Sequence, residues 1–245
     1  MYDVLIIGCG ITGAATAFEL SKYRLRVGIL ERENDVAGGT TKANSAILHA
    51  GYDPLPGSLM ARLNVRGVAL ARQLCPALDV PYSPCGSLVL GFTPADRETL
   101  AEPHRRGRAN GVPGLALLTG DEARALEPKL SPAVTAALHA PSAAVCSPWE
   151  YCLALAETAV RSGAELHLET AVTGLAPVEG GWRVETSRGT LDARWVVNAA
   201  GLDAQAVHEM ADPRTFTLHP SREQYFLLDK SEGSRVGRVI FQCPN

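Results

Sequence analysis

The sequence predicts an α/β protein of two interleaved domains, and three observations carry that prediction. An apolar run from Asp3 to Gly8 (DVLIIG) leads straight into a glycine-rich turn and then a stretch of helix formers, Ala14 to Tyr23. A second apolar strand far along the chain, Trp195 to Asn198 (WVVN), again runs into small residues, Ala199-Ala200-Gly201. Between these two, helices, short strands and turns interrupt what a simple alternation of strand and helix would continue.

The first fifty residues are the most informative. Asp3 to Gly8 is the β-branched run of a strand buried on both faces. The turn Gly8-Cys9-Gly10-Ile11-Thr12-Gly13, the helix, a second strand at Arg26 to Leu30 (RVGIL) and then Glu31 complete the order strand, glycine turn, helix, strand, acid. That order is the dinucleotide-binding arrangement of a Rossmann-like domain. Gly8 permits the tight turn, Gly10 lets the backbone approach a pyrophosphate, and Gly13 lets the helix pack close to the strand. The helix N-terminus offers N–H groups and the positive end of its dipole to phosphates. Glu31 can accept hydrogen bonds from both hydroxyls of a ribose, and its charge repels a 2′-phosphate. Cys9 reads as a small packing residue.

Three features select FAD over NAD as the nucleotide. Gly38-Gly39-Thr40-Thr41 is a small-residue loop suited to the flavin side of the pyrophosphate, and Ala199-Ala200-Gly201 supplies a second close backbone approach. No second GxGxxG occurs, so the chain carries no separate nicotinamide domain.

Further along, Met60 to Leu74 has apolar residues at helical spacing, with Arg62, Arg66 and Arg72 read as a solvated face. Gly86 to Phe92 is a strand, Pro94 to Gly111 a polar helix, Leu115 to Leu118 a short strand, and Asp121 to Leu126 a helix broken by Glu127-Pro128. Ser147-Pro148-Trp149-Glu150 has the residues of a capped helix start, and Gly163 ends that helix. Glu165 to Trp195 alternates short strands with turns at Glu179-Gly180-Gly181 and Ser187-Arg188-Gly189, a meander. Thr215 to Cys243 reads as strand-rich and is expected to join Gly86 to Phe92 in one mixed sheet.

Composition narrows the function classes. The chain is 46% hydrophobic and 20% charged, with a net charge of −3, so no basic excess points to nucleic acid. No apolar run approaches the roughly 20 residues of a spanning helix, and Met1 is not followed by a signal-type segment. Six cysteines are scattered without a CxxC pair, as expected of reduced thiols in a cytoplasmic protein. The histidines lack metal-ligand spacing, and no metal site is expected.

Three motifs carry a resemblance: GCGITGAATAFEL with Glu31, the stretch from Thr40 to Gly67 (TTKANSAILHAGYDPLPGSLMARLNVRG), and VVNAAGLDA from Val196 to Ala204. On these residues the chain resembles the FAD-dependent oxidoreductases of the D-amino-acid oxidase superfamily. Within that superfamily it is most similar to the branch of L-2-hydroxyglutarate oxidases and anaerobic-type glycerol-3-phosphate dehydrogenases. The middle stretch is the specific one. The resemblance implies a glutathione-reductase-type FAD domain at 1–82 and 143–211, interleaved with an α+β substrate domain on a mixed, largely antiparallel sheet at 83–142 and 212–245. Members of the family continue well past Asn245, so the sequence is expected to be C-terminally truncated.

The resemblance also implies a reaction: oxidation of a small anionic hydroxy compound by hydride transfer to flavin, with the electrons passed to a further acceptor. Oxidation of an amino acid or amine is the alternative within the superfamily, and a non-catalytic FAD-binding chain that needs a partner is the alternative outside it. Peripheral contact with a membrane stays open. Cofactor contact is expected at Gly8, Gly10, Ile11, Thr12, Gly13, Glu31, Arg32, Gly39, Thr40, Thr41, Lys42, Ser45, Val172, Ala200 and Gly201. His49, flanked by small residues in SAILHAG, is the candidate to take a substrate hydroxyl proton, or else to hydrogen-bond the cofactor. Arg222 and Tyr225 are the candidate substrate-binding residues, Arg222 as a bidentate clamp for carboxylate or phosphate or else an exposed ion-paired arginine. Glu223 and Gln224 stand there in place of the family's glycine and acid.

Overall fold

The computed structural model describes residues 1–243. In chain order the regular elements begin with β1 (Tyr2–Ile7), α1 (Ile11–Leu20), β2 (Val27–Leu30), β3 (Ile47–Leu48), α2 (Leu59–Ala77), β4 (Tyr82–Ser83) and β5 (Ser87–Gly91). Next come α3 (Pro94–Ala109), β6 (Ala116–Thr119), α4 (Gly120–Leu126), β7 (Ala136–Ala140) and β8 (Ala144–Cys146). The chain then forms α5 (Pro148–Arg161), β9 (Glu165–His167), β10 (Val172–Val178), β11 (Gly181–Thr186), β12 (Gly189–Asn198), α6 (Ala204–Glu209) and β13 (Val239–Gln242).

Two compact units share these elements: Met1–Asn44 with Pro148–Gln224, and Ser45–Ser147 with the residues from Tyr225 on. The borders differ from the expected 82/83, 142/143 and 211/212. Residues 45–82 join the second unit because β3 and β4 both pair with β8 there, and because Ala50 and Tyr52 are buried in a core with Val89, Leu100 and Leu138.

The first unit is built on a six-stranded sheet in the order β10-β11-β12-β1-β2-β9. β12, β1, β2 and β9 run parallel, and β10, β11 and β12 form the expected antiparallel meander. Leu5, Ile6, Ile29 and Leu30 are sealed from solvent, which is why β1 and β2 read as unbroken apolar runs. α1 and α5 pack on each other through small residues such as Ala14, Ala17 and Ala159. α1 opens at Ile11 rather than Ala14 because the glycine turn itself supplies the first helical turn.

The second unit holds a mixed sheet, β13-β5-β7-β6, with β13 parallel to β5 and the other pairs antiparallel. Val89 packs on one face with Leu100 of α3, and Leu88 and Leu90 on the other with Ala123 of α4. α3 starts at a capping box, Thr93 with Asp96, and has a proline at its first position. The strand-rich reading of 215–243 holds only for β13: residues 213–229 form neither helix nor strand. β-Branched and aromatic residues favour a strand only where a ladder partner exists, and there Phe226 and Leu227 are 95% and 99% exposed.

Candidate cofactor-binding site

In the first unit β1 lies between β12 and β2, and the register pairs Ile7 with both Asn198 and Leu30, so all three strands end at one level. Chain order reverses direction across the sheet at β1, and the C-terminal ends of strands at such a switch point form a natural crevice. A cleft of about 550 Å3 lies there.

The first turn shapes one wall. Gly8 adopts φ +97°, and a Cβ on it would come within 2.6 Å of the Ala199 carbonyl oxygen. A Cβ on Gly13 would sit 1.9 Å from the Gly8 carbonyl oxygen, so only glycine lets α1 start this close to the turn. Gly13 thus works from behind the wall, while Gly8, Gly10, Ile11 and Thr12 line the cleft. The loop after β2 contributes Gly39, Thr40 and Thr41. Thr41 Oγ1 accepts the Ile11 N–H at 3.0 Å, which satisfies one of the unpaired donors at the start of α1. Its own hydroxyl hydrogen remains available to an acceptor.

The acid at the end of β2 does two jobs. Glu31 is only 8% exposed, and its two carboxylate oxygens accept the Cys9 N–H at 2.7 Å and the Glu33 N–H at 3.0 Å. It therefore ties the glycine turn to β2, and the remaining lone pairs of both oxygens are left for a ribose. Arg32 beside it pairs with Asp203 at 2.8 Å, and that carboxylate raises the arginine's already high pKa further. Val172, Ala200 and Gly201 close the far side. Cys9 is fully buried, and burial pushes its thiol up to about 12, away from the thiolate form that reactive cysteines need.

Three expected cofactor contacts fall outside the lining. Gly13 is one; Lys42 is exposed and does not line the cleft; Ser45 belongs to the second unit. Leu202 and Asp203 of the VVNAAGLDA motif line it beside Ala200 and Gly201, and residues outside the motifs line it as well: Thr170 and, from α6, Val207 with Met210 just beyond it. Thr170 is tied to β2 by its N–H to the Glu31 carbonyl at 2.7 Å. None of these stands at a fixed spacing from the glycine motif, so pairing of distant strands alone recruits them.

In the second unit, exposed His49 follows β3, and its ring stacks on Phe241 with centroids 5.5 Å apart and planes inclined by 29°. Asp53 is an electrostatic neighbour that the sequence reading missed. Desolvation pushes its carboxyl above the usual range, against the pull of His49 and Arg106. Arg222 falls in the first unit and Tyr225 in the second, both exposed.

The family model described as FAD dependent oxidoreductase matches residues 3–244. The chain belongs to that family. It is 43% identical over its whole length to a glycerol 3-phosphate dehydrogenase of Caloramator mitchellensis, and 28% identical to an L-2-hydroxyglutarate dehydrogenase of Escherichia coli K12. It spans 51% of the first relative and 58% of the second. Among solved structures it is similar to L-alpha-glycerophosphate oxidase of Mycoplasma pneumoniae with FAD bound, with a TM-score of 0.79 and 30% identity. That match covers 86% of this chain and 56% of the other.

FAD, the cofactor of the family, fits this cleft on the chemistry of its donors. The start of α1 and the Thr41 hydroxyl suit a pyrophosphate, Glu31 suits a ribose, and Leu202, Val207 and Met210 offer apolar surface to a base.

Proposed function

We propose that the protein is an FAD-dependent oxidoreductase that oxidises a small anionic hydroxy compound, glycerol 3-phosphate or a 2-hydroxy acid such as 2-hydroxyglutarate. The observation that carries this reading is the cleft at the ends of β1, β2 and β12, whose lining matches an unphosphorylated dinucleotide. The two hydroxy-compound dehydrogenases among the relatives support the substrate class.

Bound flavin supplies a two-electron acceptor for a hydride. Gly8, Gly10 and Thr12 would give backbone access to the pyrophosphate, with Thr41 donating its hydroxyl hydrogen and Glu31 taking the ribose hydroxyls. His49 would take the substrate hydroxyl proton on its imidazole, held in orientation by Phe241. Arg222 would pair with the phosphate or carboxylate of the substrate, and Tyr225 would add a phenol donor. A cytoplasmic location accords with the six free cysteines.

The test is the flavin spectrum of the purified protein under anaerobic conditions. Bleaching by glycerol 3-phosphate or L-2-hydroxyglutarate, slowed roughly 10²- to 10⁴-fold in His49→Asn, is expected. A flavin-loaded protein bleached only by an amino acid, or by none of these compounds, overturns the reading.

A further inference from the structure

In the second unit, the loop that follows His49 is held by a helix rather than by a backbone ladder. β3 ends at Leu48 and α2 begins at Leu59, and residues 49–54 form neither helix nor strand. A side chain at the end of α3 does the work of a ladder. The Asn110 amide nitrogen donates to the Gly51 carbonyl and to the Pro54 carbonyl, each at 2.9 Å. Arg106, one turn earlier on the same side of α3, adds a longer bond to the Asp53 carbonyl at 3.3 Å. Gly107 lets the helix come this close, since a Cβ on it would sit 2.8 Å from the Tyr52 Cβ. The loop itself has little freedom to shift: Gly51 adopts φ +106°, and a Cβ there would meet Val65 Cγ2 at 2.6 Å.

These bonds are not a by-product of ending the helix. Gly111, at φ +80°, supplies the left-handed residue that terminates α3, while Asn110 keeps a right-handed φ of −78°. The Asn110 Oδ1 is buried and accepts no hydrogen bond among the described residues, an arrangement that stability alone would not select.

We propose that Asn110 is a positioning residue, which sets where the His49 imidazole stands by fixing the backbone that follows it. The inference rests on the reading of His49 as the proton acceptor. On the other side of His49 the backbone is already fixed, because Ile47 and Leu48 pair with Val145 and Ala144 of β8, and Phe241 stacks on the ring. Asn110 closes the remaining side. Loss of its two bonds frees residues 50–54, and a displacement of about 1 Å at a reacting group slows a reaction on the order of a hundredfold.

Two measurements on the full chain test this. The first needs no turnover: a proton–nitrogen correlation spectrum of the histidine rings, in which His49→Asn identifies the His49 signal. That signal is expected to shift and broaden in Asn110→Ala and to stay in place in Arg108→Gln, an exposed change on the same helix. The second is the rate of anaerobic flavin bleaching by saturating glycerol 3-phosphate. Asn110→Ala should slow it roughly tenfold to a hundredfold and leave KM within about twofold. Combined with His49→Asn it should slow the reaction no further, as required of a residue that acts through His49. If Asn110→Ala does not fold, Asn110→Asp, of the same shape but with no N–H to donate, takes its place. An unmoved His49 signal, or effects that multiply in the double variant, would overturn the proposal. A parent protein that glycerol 3-phosphate and L-2-hydroxyglutarate both fail to bleach would defeat the oxidoreductase reading alone, and the ring signal would still decide what Asn110 does.

Discussion

At the end of β1, Gly8 and Gly13 have no room for a Cβ, and Cys9 and Leu30 are sealed from water; between residues 213 and 229, Phe226 and Leu227 stand almost fully exposed. The first region is over-determined. Its backbone hydrogen bonds tie together the ends of β1, β2 and β12, from Gly8 N–H to the Leu30 carbonyl and from Ala199 N–H to the Ile7 carbonyl, and Thr170 N–H adds a bond to the Glu31 carbonyl just past β2. The second region carries residues with strand propensity and forms no strand. The difference teaches that propensity becomes structure only where a partner removes both the apolar surface and the backbone polar groups from water.

The sharpest way to break this comparison is at Gly13. A methyl group there meets backbone that cannot retreat, so Gly13→Ala should cost more than about 3 kcal/mol and abolish FAD retention. Gly39→Ala, in the same cleft but with nothing within 4 Å of the added Cβ, should stay within about 0.5 kcal/mol of the parent. Equal urea midpoints for the two variants would show that the turn is not held by steric contact.

Glu31→Ala should come next. It leaves the Cys9 and Glu33 N–H groups without their acceptor and removes the ribose contact, a loss of about 1–3 kcal/mol in FAD binding. Isothermal titration with FAD reads this directly, and undiminished affinity would remove Glu31 from the cofactor site.

A smaller effect is expected at Asp96 in the second unit. The Phe92 and Thr93 N–H groups, at 2.7 and 3.0 Å, hold its carboxyl below the usual carboxylate range. Its stabilisation is therefore fully present above about pH 4 and is lost as pH falls through the lowered folded-state value. Asp96→Asn should narrow the gap between urea midpoints measured at neutral pH and near pH 3; an unchanged gap would mean that the capping box contributes nothing.

The smallest effect belongs to the exposed stretch. Phe226→Ser should alter stability by less than about 0.5 kcal/mol, because the ring leaves no packed neighbours behind. A loss above about 2 kcal/mol would show that the ring is buried in solution.

Local pattern made much of this protein readable from residues alone. The glycine turn, α1 and β2 with Glu31 obey short-range rules of sterics and helix geometry, and the same holds for α3 with its capping box at Thr93 and for the meander from Val172 to Asn198. The short strands β3, β4, β7 and β8 were missed. β3 and β4 have two residues each and exist only because β8 pairs with both.

What the amino-acid sequence by itself determined is therefore the glycine turn, α1, β2 and Glu31, since each follows from contacts made within a few residues of chain. Only the tertiary structure decided that residues 45–82 belong to the second unit, that Asp203 reaches Arg32, that Asp53 sits near His49, and that 213–229 is not a strand. Those outcomes rest on pairing between segments far apart in sequence, whose energy depends on which surfaces meet, and no local pattern encodes that.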